Sequence, residues 1–234
     1  MKQLPVIYLL PGLLCDQDVW QYQAAALSQH AQVRIPDFRG VDSLDTMAEL
    51  VLNEAPEQFS VAGHSMGARV CLELINRAPE RIRHLMLLSV GAHPVSDDEC
   101  EHRSSLVEDA ANIGMDRYAS QWADLMMSYR EQDDAVVRSC IESMVRRQTL
   151  DDFIAHVTAG LGRRDQSLYL SRIKLPVLLI VGEQDAWSPV YQHEVIRDRL
   201  CDATLKIVPV AGHMVLLDQP DLVSNLMTDW FFNH

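Results

Sequence analysis

Phe59-Ser60-Val61-Ala62-Gly63-His64-Ser65-Met66-Gly67-Ala68-Arg69-Val70 is the stretch whose reading decides the fold. A short apolar strand runs into two glycines that bracket one serine, and a helix opens at once. A serine on so tight a strand-to-helix bend takes a strained backbone and lifts its hydroxyl above the sheet edge. Gly63 and Gly67 have no Cβ, which lets strand and helix close on each other. Ser65 is therefore the candidate nucleophile. The pattern G-x-S-x-G is cheap alone, and its weight comes from the elements around it and the partners downstream.

Working outward, Leu4 to Leu10 is a nearly continuous apolar run, as in a strand buried on both faces of a parallel sheet. It ends in the loop Pro11-Gly12-Leu13-Leu14-Cys15. Asp16 or Asp18 caps a helix from Trp20 to Ser28. Gln32 to Ile35 is a second strand, and Ser43 or Asp45 opens a helix through Leu52. Phe59 to Ala62 is the third strand, and the helix after Ser65 runs to about Arg77, ahead of Pro79. Leu85 to Val90 is the fourth strand, closed by Gly91-Ala92-His93-Pro94.

From there the pattern changes. Apolar residues recur at three- and four-residue spacing (Leu106, Ala110, Ile113; Trp122, Leu125, Met126, Tyr129; Val137, Ile141, Met144; Phe153, Val157), which predicts several short amphipathic helices and no strand. Pro176 to Val181, a helix from Pro189 to Leu200, Thr204 to Val208 and a helix from Pro220 to Phe232 complete the chain. Strands alternating with helices imply an α/β fold, its parallel sheet covered on both faces. The expected division is a core of residues 1–93 and 175–234 with a helical cap, 94–174, inserted between strands four and five. The insertion leaves from the carboxyl end of the sheet, so it should overlie Ser65, where it would shape a pocket and exclude water.

A serine hydroxyl needs a base within hydrogen-bond reach, itself oriented by an acid. The fifth strand breaks at Gly182-Glu183-Gln184-Asp185 and the sixth leads to Ala211-Gly212-His213. The order is thus Ser, Asp, His, each just past the carboxyl end of a strand. Asp185 is favoured as the acid over Glu183, Asp202 and Asp218; Asp218, just before Pro220, reads as a helix-start residue. Cys15 and His64 are read as flanking the site without chemistry, and Trp20, Trp187, Met126, Met127 and Met144 as core or cap packing.

With these motifs the chain resembles the α/β-hydrolases, over nearly its whole length except the cap. Pro36-Asp37-Phe38-Arg39-Gly40, Arg77-Ala78-Pro79-Glu80-Arg81-Ile82 and Leu217-Asp218-Gln219-Pro220 are similar to stretches of that family. The resemblance implies that Ser65 attacks a carbonyl, His213 takes and returns the proton, and Asp185 steadies the imidazolium. It implies an oxyanion hole from the backbone N–H groups of Leu13 and Met66, although the first-strand loop reads Pro11-Gly12-Leu13 where relatives usually carry His-Gly. Many relatives begin with two more strands, so the expected sheet here is six-stranded and mostly parallel in the order 2-1-3-4-5-6. Arg69 stands where a menaquinone-pathway relative carries a carboxylate-binding arginine, which makes it a candidate substrate contact; His93, past the fourth strand, is a second candidate.

The 234 residues carry a net charge of −13 with no basic cluster, which argues against nucleic acid and anionic membrane surfaces as partners. No apolar run reaches the roughly 18 residues of a membrane span, and the opening run is too short for a secretory signal. Five widely spaced cysteines fit reduced thiols in a cytoplasmic protein. No cofactor is expected, and the histidine spacing gives no metal motif. The leading expectation is a serine hydrolase acting on a small-molecule carboxylic ester or lactone. A carbon–carbon bond lyase or hydrolase on the same residues, and a non-catalytic ligand-binding relative, are the alternatives; oligomeric state is left open.

Overall fold

The computed structural model describes residues 4–127 and 134–233; Tyr129 of the apolar pattern lies outside them. Six parallel strands, β1 (Val6–Leu10), β2 (Gln32–Arg34), β3 (Phe59–His64), β4 (Ile82–Leu88), β5 (Val177–Gly182) and β6 (Ala203–Val208), lie in the order β2-β1-β3-β4-β5-β6. This is the expected order. Its reversal point falls at β1, flanked by β2 and β3, where ligands bind in open α/β sheets.

Both faces of the sheet are covered, and period-two alternation along the strands sorts the side chains between them. Ile7, Leu9, Ala62, Met86, Leu88, Leu178 and Ile180 face α1 (Gln21–Leu27) and α10 (Pro220–Asn233). Val6, Tyr8, Leu10, Val61, Leu85, Leu87 and Leu179 face α2 (Leu44–Glu54), α3 (Met66–Arg77) and α8 (Val190–Arg199). The inner strands β1 and β5 are buried throughout and need to be apolar on both sides, which is why they read as continuous runs.

Some boundaries differ from the expectation, each for a local reason. A 3₁₀ turn, Gln17–Trp20, capped by the Asp16 carboxylate, precedes α1, which therefore starts late. Ser43, rather than Asp45, caps α2 by accepting the Thr46 N–H. β4 begins three residues early, through Arg83 and His84, and ends before Ser89, whose φ of 50° turns the chain out of the sheet.

Between β4 and β5 run α4 (Asp97–Ile113), α5 (Met115–Met127), α6 (Ala135–Arg146) and α7 (Leu150–Leu161). Tyr118, Trp122 and Phe153 pack their rings together at the centre of this layer. Polar ties hold it to the sheet layer, among them these. Arg147 bonds Asp16 and Asp18 at 2.7 and 2.6 Å, the buried His156 bonds the Phe38 carbonyl at 2.9 Å, and Gln166 donates to Glu73 at 2.8 Å. Among the described residues no helix is long and apolar enough to cross a membrane.

Candidate active site

Ser65 sits between β3 and α3 with φ 54° and ψ −116°, a left-handed conformation that L side chains rarely adopt. Its amide donates to the Leu88 carbonyl at 2.9 Å, pinning the bend to the neighbouring strand. The half-buried hydroxyl lies 3.0 Å from Nε2 of His213. On the other side of that ring, Nδ1 lies 3.0 Å from both carboxylate oxygens of Asp185. A carboxylate only accepts, so Nδ1 carries the proton and Nε2 is left to accept from Ser65.

Asp185 is buried, and its Oδ1 also accepts the backbone N–H groups of Trp187 and Ser188 at 2.9 and 2.8 Å. Burial by itself would raise this carboxyl; the imidazole beside it and the Ser188 amide outweigh that and hold it below the usual carboxylate range. Glu183 and Asp202, the competing carboxylates, are exposed. Asp218 is the last residue of α9 (Val215–Asp218), a short helix the apolar pattern did not disclose, and its carboxylate accepts the Gly212 N–H at 2.8 Å. Rather than starting a helix, Asp218 braces the loop that carries His213.

His64 flanks the site, as expected from its position, and has a structural part there. Its Nε2 donates to the backbone carbonyl of His213 at 2.8 Å, so the residue before the serine holds the histidine loop from behind. Burial, then the His213 ring, push the His64 imidazole down to about 3. His193, fully buried on α8, accepts the Val90 N–H at 2.9 Å, and burial lowers it to about 4. Both imidazoles are neutral in the fold, whereas an unfolded histidine takes up its proton near pH 6.5. Stability is therefore full above 6.5 and falls with pH toward 4, because the unfolded chain binds the extra protons. At pH 5 each ring should cost on the order of 2 kcal/mol, read as a lower urea midpoint than at pH 7. Equal midpoints would contradict this account of the two rings.

Leu13 and Met66 both border the cavity above Ser65. The loop of Leu13 is a tight turn, closed by the Cys15 N–H to the Gly12 carbonyl at 3.2 Å with Leu14 at φ 56°. Among the described residues neither the Leu13 nor the Met66 N–H donates to a backbone carbonyl, which leaves both for a ligand oxygen. The cavity holds about 450 Å³ and is walled by the sheet edge below and by α4, α5 and α7 above. Trp187 and Met126, expected only to pack, line it, as do Arg69 and His93. Trp20, Met127 and Met144 are core residues, and the buried Cys15 thiol is pushed far up by burial. Among the described residues no group of three His, Cys, Asp or Glu is placed to hold a metal ion.

A family model described as the alpha/beta hydrolase family matches residues 7–226. The chain belongs to the α/β-hydrolase family. This α/β-fold hydrolase is 27% identical, over 93% of its length and 92% of the other protein, to a pimeloyl-[acyl-carrier protein] methyl ester esterase of Nitrosomonas europaea. It shares its fold with the enol-lactonase of Burkholderia xenovorans LB400 (TM-score 0.85, 21% identity, 98% and 92% of the two chains). A thermophilic esterase of Thermogutta terrifontis is equally similar in shape (TM-score 0.84, 22% identity, 99% and 90% coverage).

Proposed function

We propose that this protein is a serine hydrolase that cleaves a small carboxylic ester or lactone through an acyl-enzyme. The observation that carries the reading is the unbroken hydrogen-bond chain from Ser65 through His213 to Asp185. In the first step Ser65 Oγ attacks the carbonyl while its proton passes to His213 Nε2. The imidazolium so formed is stabilised by Asp185, which stays ionised. The tetrahedral oxyanion takes hydrogen bonds from the Leu13 and Met66 amides, each worth about 10²–10³ in rate. His213 then protonates the leaving alcohol, and water, activated by the same nitrogen, releases the acid and frees Ser65.

Residues 94–174 act in this reading as a cap. Support comes from the cavity wall: Trp122, Met126, Val157 and Leu161 bring apolar surface from α5 and α7 to within the same space as Ser65. Dry walls strengthen every charge interaction inside. The ester-cleaving name of the Nitrosomonas relative supports the substrate class.

A fluorophosphonate should label Ser65, located by peptide mass mapping, and abolish turnover of p-nitrophenyl acetate. A folded protein that is neither labelled nor active would end the proposal.

A further inference from the structure

The carboxylate of Asp185 takes its bearing from a stretch of chain that the sheet does not hold. The amides of Glu183, Gln184 and Asp185 donate to the carbonyls of Val208, Ala211 and Gly182. Those of Ala186, Trp187 and Ser188 donate to no backbone carbonyl among the described residues, and the chain is tied again only at Pro189, whose carbonyl accepts the Gln192 N–H at 2.9 Å. Two of the three amides turn instead to Asp185 Oδ1, Trp187 at 2.9 Å and Ser188 at 2.8 Å. The orientation of the acid therefore follows the position of this stretch, and a backbone without ladder bonds moves unless a side chain fixes it.

Trp187 is the large side chain here, and its ring meets three other elements. The Arg103 guanidinium of α4 lies with its Cζ 5.1 Å over the ring, and the His102 ring of the same helix is centred 5.8 Å away. The Trp122 ring of α5 is 5.6 Å distant and the His213 ring 6.1 Å. Trp122 is itself fixed by Tyr118 and Phe153 at the centre of its layer. Ring–ring and cation–ring contacts at these separations are attractive and directional. One residue thus meets the inserted helices and the base through its ring, and the acid through its own amide.

We propose that Trp187 is a positioning residue: through it α4 and α5 hold the Asp185–His213 pair, so that the seating of these helices sets the efficiency of proton transfer from Ser65. This rests on the serine-hydrolase reading above. The ring fixes the loop, the loop amide fixes Oδ1, and the carboxylate fixes Nδ1 of the imidazole. Moving the ring off its contacts turns the carboxylate and swings Nε2 away from the Ser65 hydroxyl; a misplacement of about 1 Å at such a point costs about 10²-fold. The inserted helices then act on the chemistry as well as walling the cavity.

The test reads kcat on p-nitrophenyl acetate and, independently of turnover, the low-field proton resonance of the Nδ1–H between His213 and Asp185, assigned by its loss in Asp185→Ala. All samples are matched by circular dichroism. Trp187→Ala should lower kcat about 10- to 100-fold, with KM changed less than about threefold, and should broaden or remove the resonance. Trp187→Phe, which keeps a ring between α4 and His213, should recover most of both. His102→Ala and Arg103→Ala together loosen the grip from α4, so they should lower kcat and weaken the resonance in the same sense. Added to Trp187→Ala they should change neither further, because both act through one contact. An intact resonance in Trp187→Ala, or losses that multiply in the combined variant, would overturn the proposal. The resonance also separates this from failure of the hydrolase reading. If no ester is turned over, its loss in Trp187→Ala and in the α4 variant still supports the linkage; its persistence in both refutes the linkage even where the ester is a good substrate.

Discussion

Replacing Ser65 by Ala is expected to lower kcat on p-nitrophenyl acetate by about 10⁵–10⁶, the scale of losing the nucleophile in a cooperating triad. A remnant of about 10³–10⁴ over water should survive, because under the proposed mechanism the Leu13 and Met66 amides and the cavity still bind the transition state. Asp185→Asn should cost less, about 10⁴, and for a reason visible in its contacts. The Trp187 and Ser188 amides both donate to Oδ1 at 2.9 and 2.8 Å, so an asparagine would place its carbonyl there and turn its NH₂ toward His213. That donor meets Nδ1, drives the ring proton to Nε2, and removes the acceptor Ser65 requires. The double variant should be no slower than Ser65→Ala alone, since both changes disable one proton path. Single-turnover and steady-state assays on samples with matching circular dichroism would decide this. Ser65→Ala protein within tenfold of wild type would rule the nucleophile out.

Much of the fold was legible because its signals are local. Runs such as Val177-Leu178-Leu179-Ile180-Val181 are apolar on successive residues only when both faces of a strand are covered, and β5 is buried throughout. The elbow announces itself through Gly63 and Gly67, since only glycine fits where a backbone crosses at such close range. Other features were hidden because they depend on distant partners. Nothing in the spacing says that Asp218 accepts the Gly212 amide, or that His64 reaches across to the carbonyl of His213. Nor does the helical pattern of α4 show that His102 and Arg103 both turn inward onto Trp187. Amphipathic spacing tells which face of a helix is buried, and it is silent on which long polar side chains fold back over that face to reach a cavity.

Gly67→Ala is expected to be severely destabilising. A Cβ at this position would stand 2.1 Å from the Leu10 carbonyl oxygen, 2.5 Å from its carbon and 2.7 Å from the Pro11 oxygen. All three are backbone atoms of β1 and the loop after it, so no rotamer change can make room. A Cβ on Gly63 would in turn meet Gly67 itself at 2.4 Å, which blocks retreat of α3 toward β3. The helix has to leave the sheet, and it takes with it the packing of Ala68, Val70, Cys71 and Leu74, all fully buried. A cost above about 4 kcal/mol follows, a large share of the 5–15 kcal/mol margin of a typical domain. In a chain of this size that lowers Tm by roughly 8–16 °C. Gly160→Ala provides the control: it lies in α7, its added Cβ meets nothing within 4 Å, and the change should gain up to about 1 kcal/mol from helix propensity. Calorimetry on both variants separates the close approach from glycine loss in general. A Gly67→Ala protein that melts within 2 °C of wild type would mean that α3 does not press on β1 as described. The same contact seats the first turn of α3, and with it Met66, against the loop after β1.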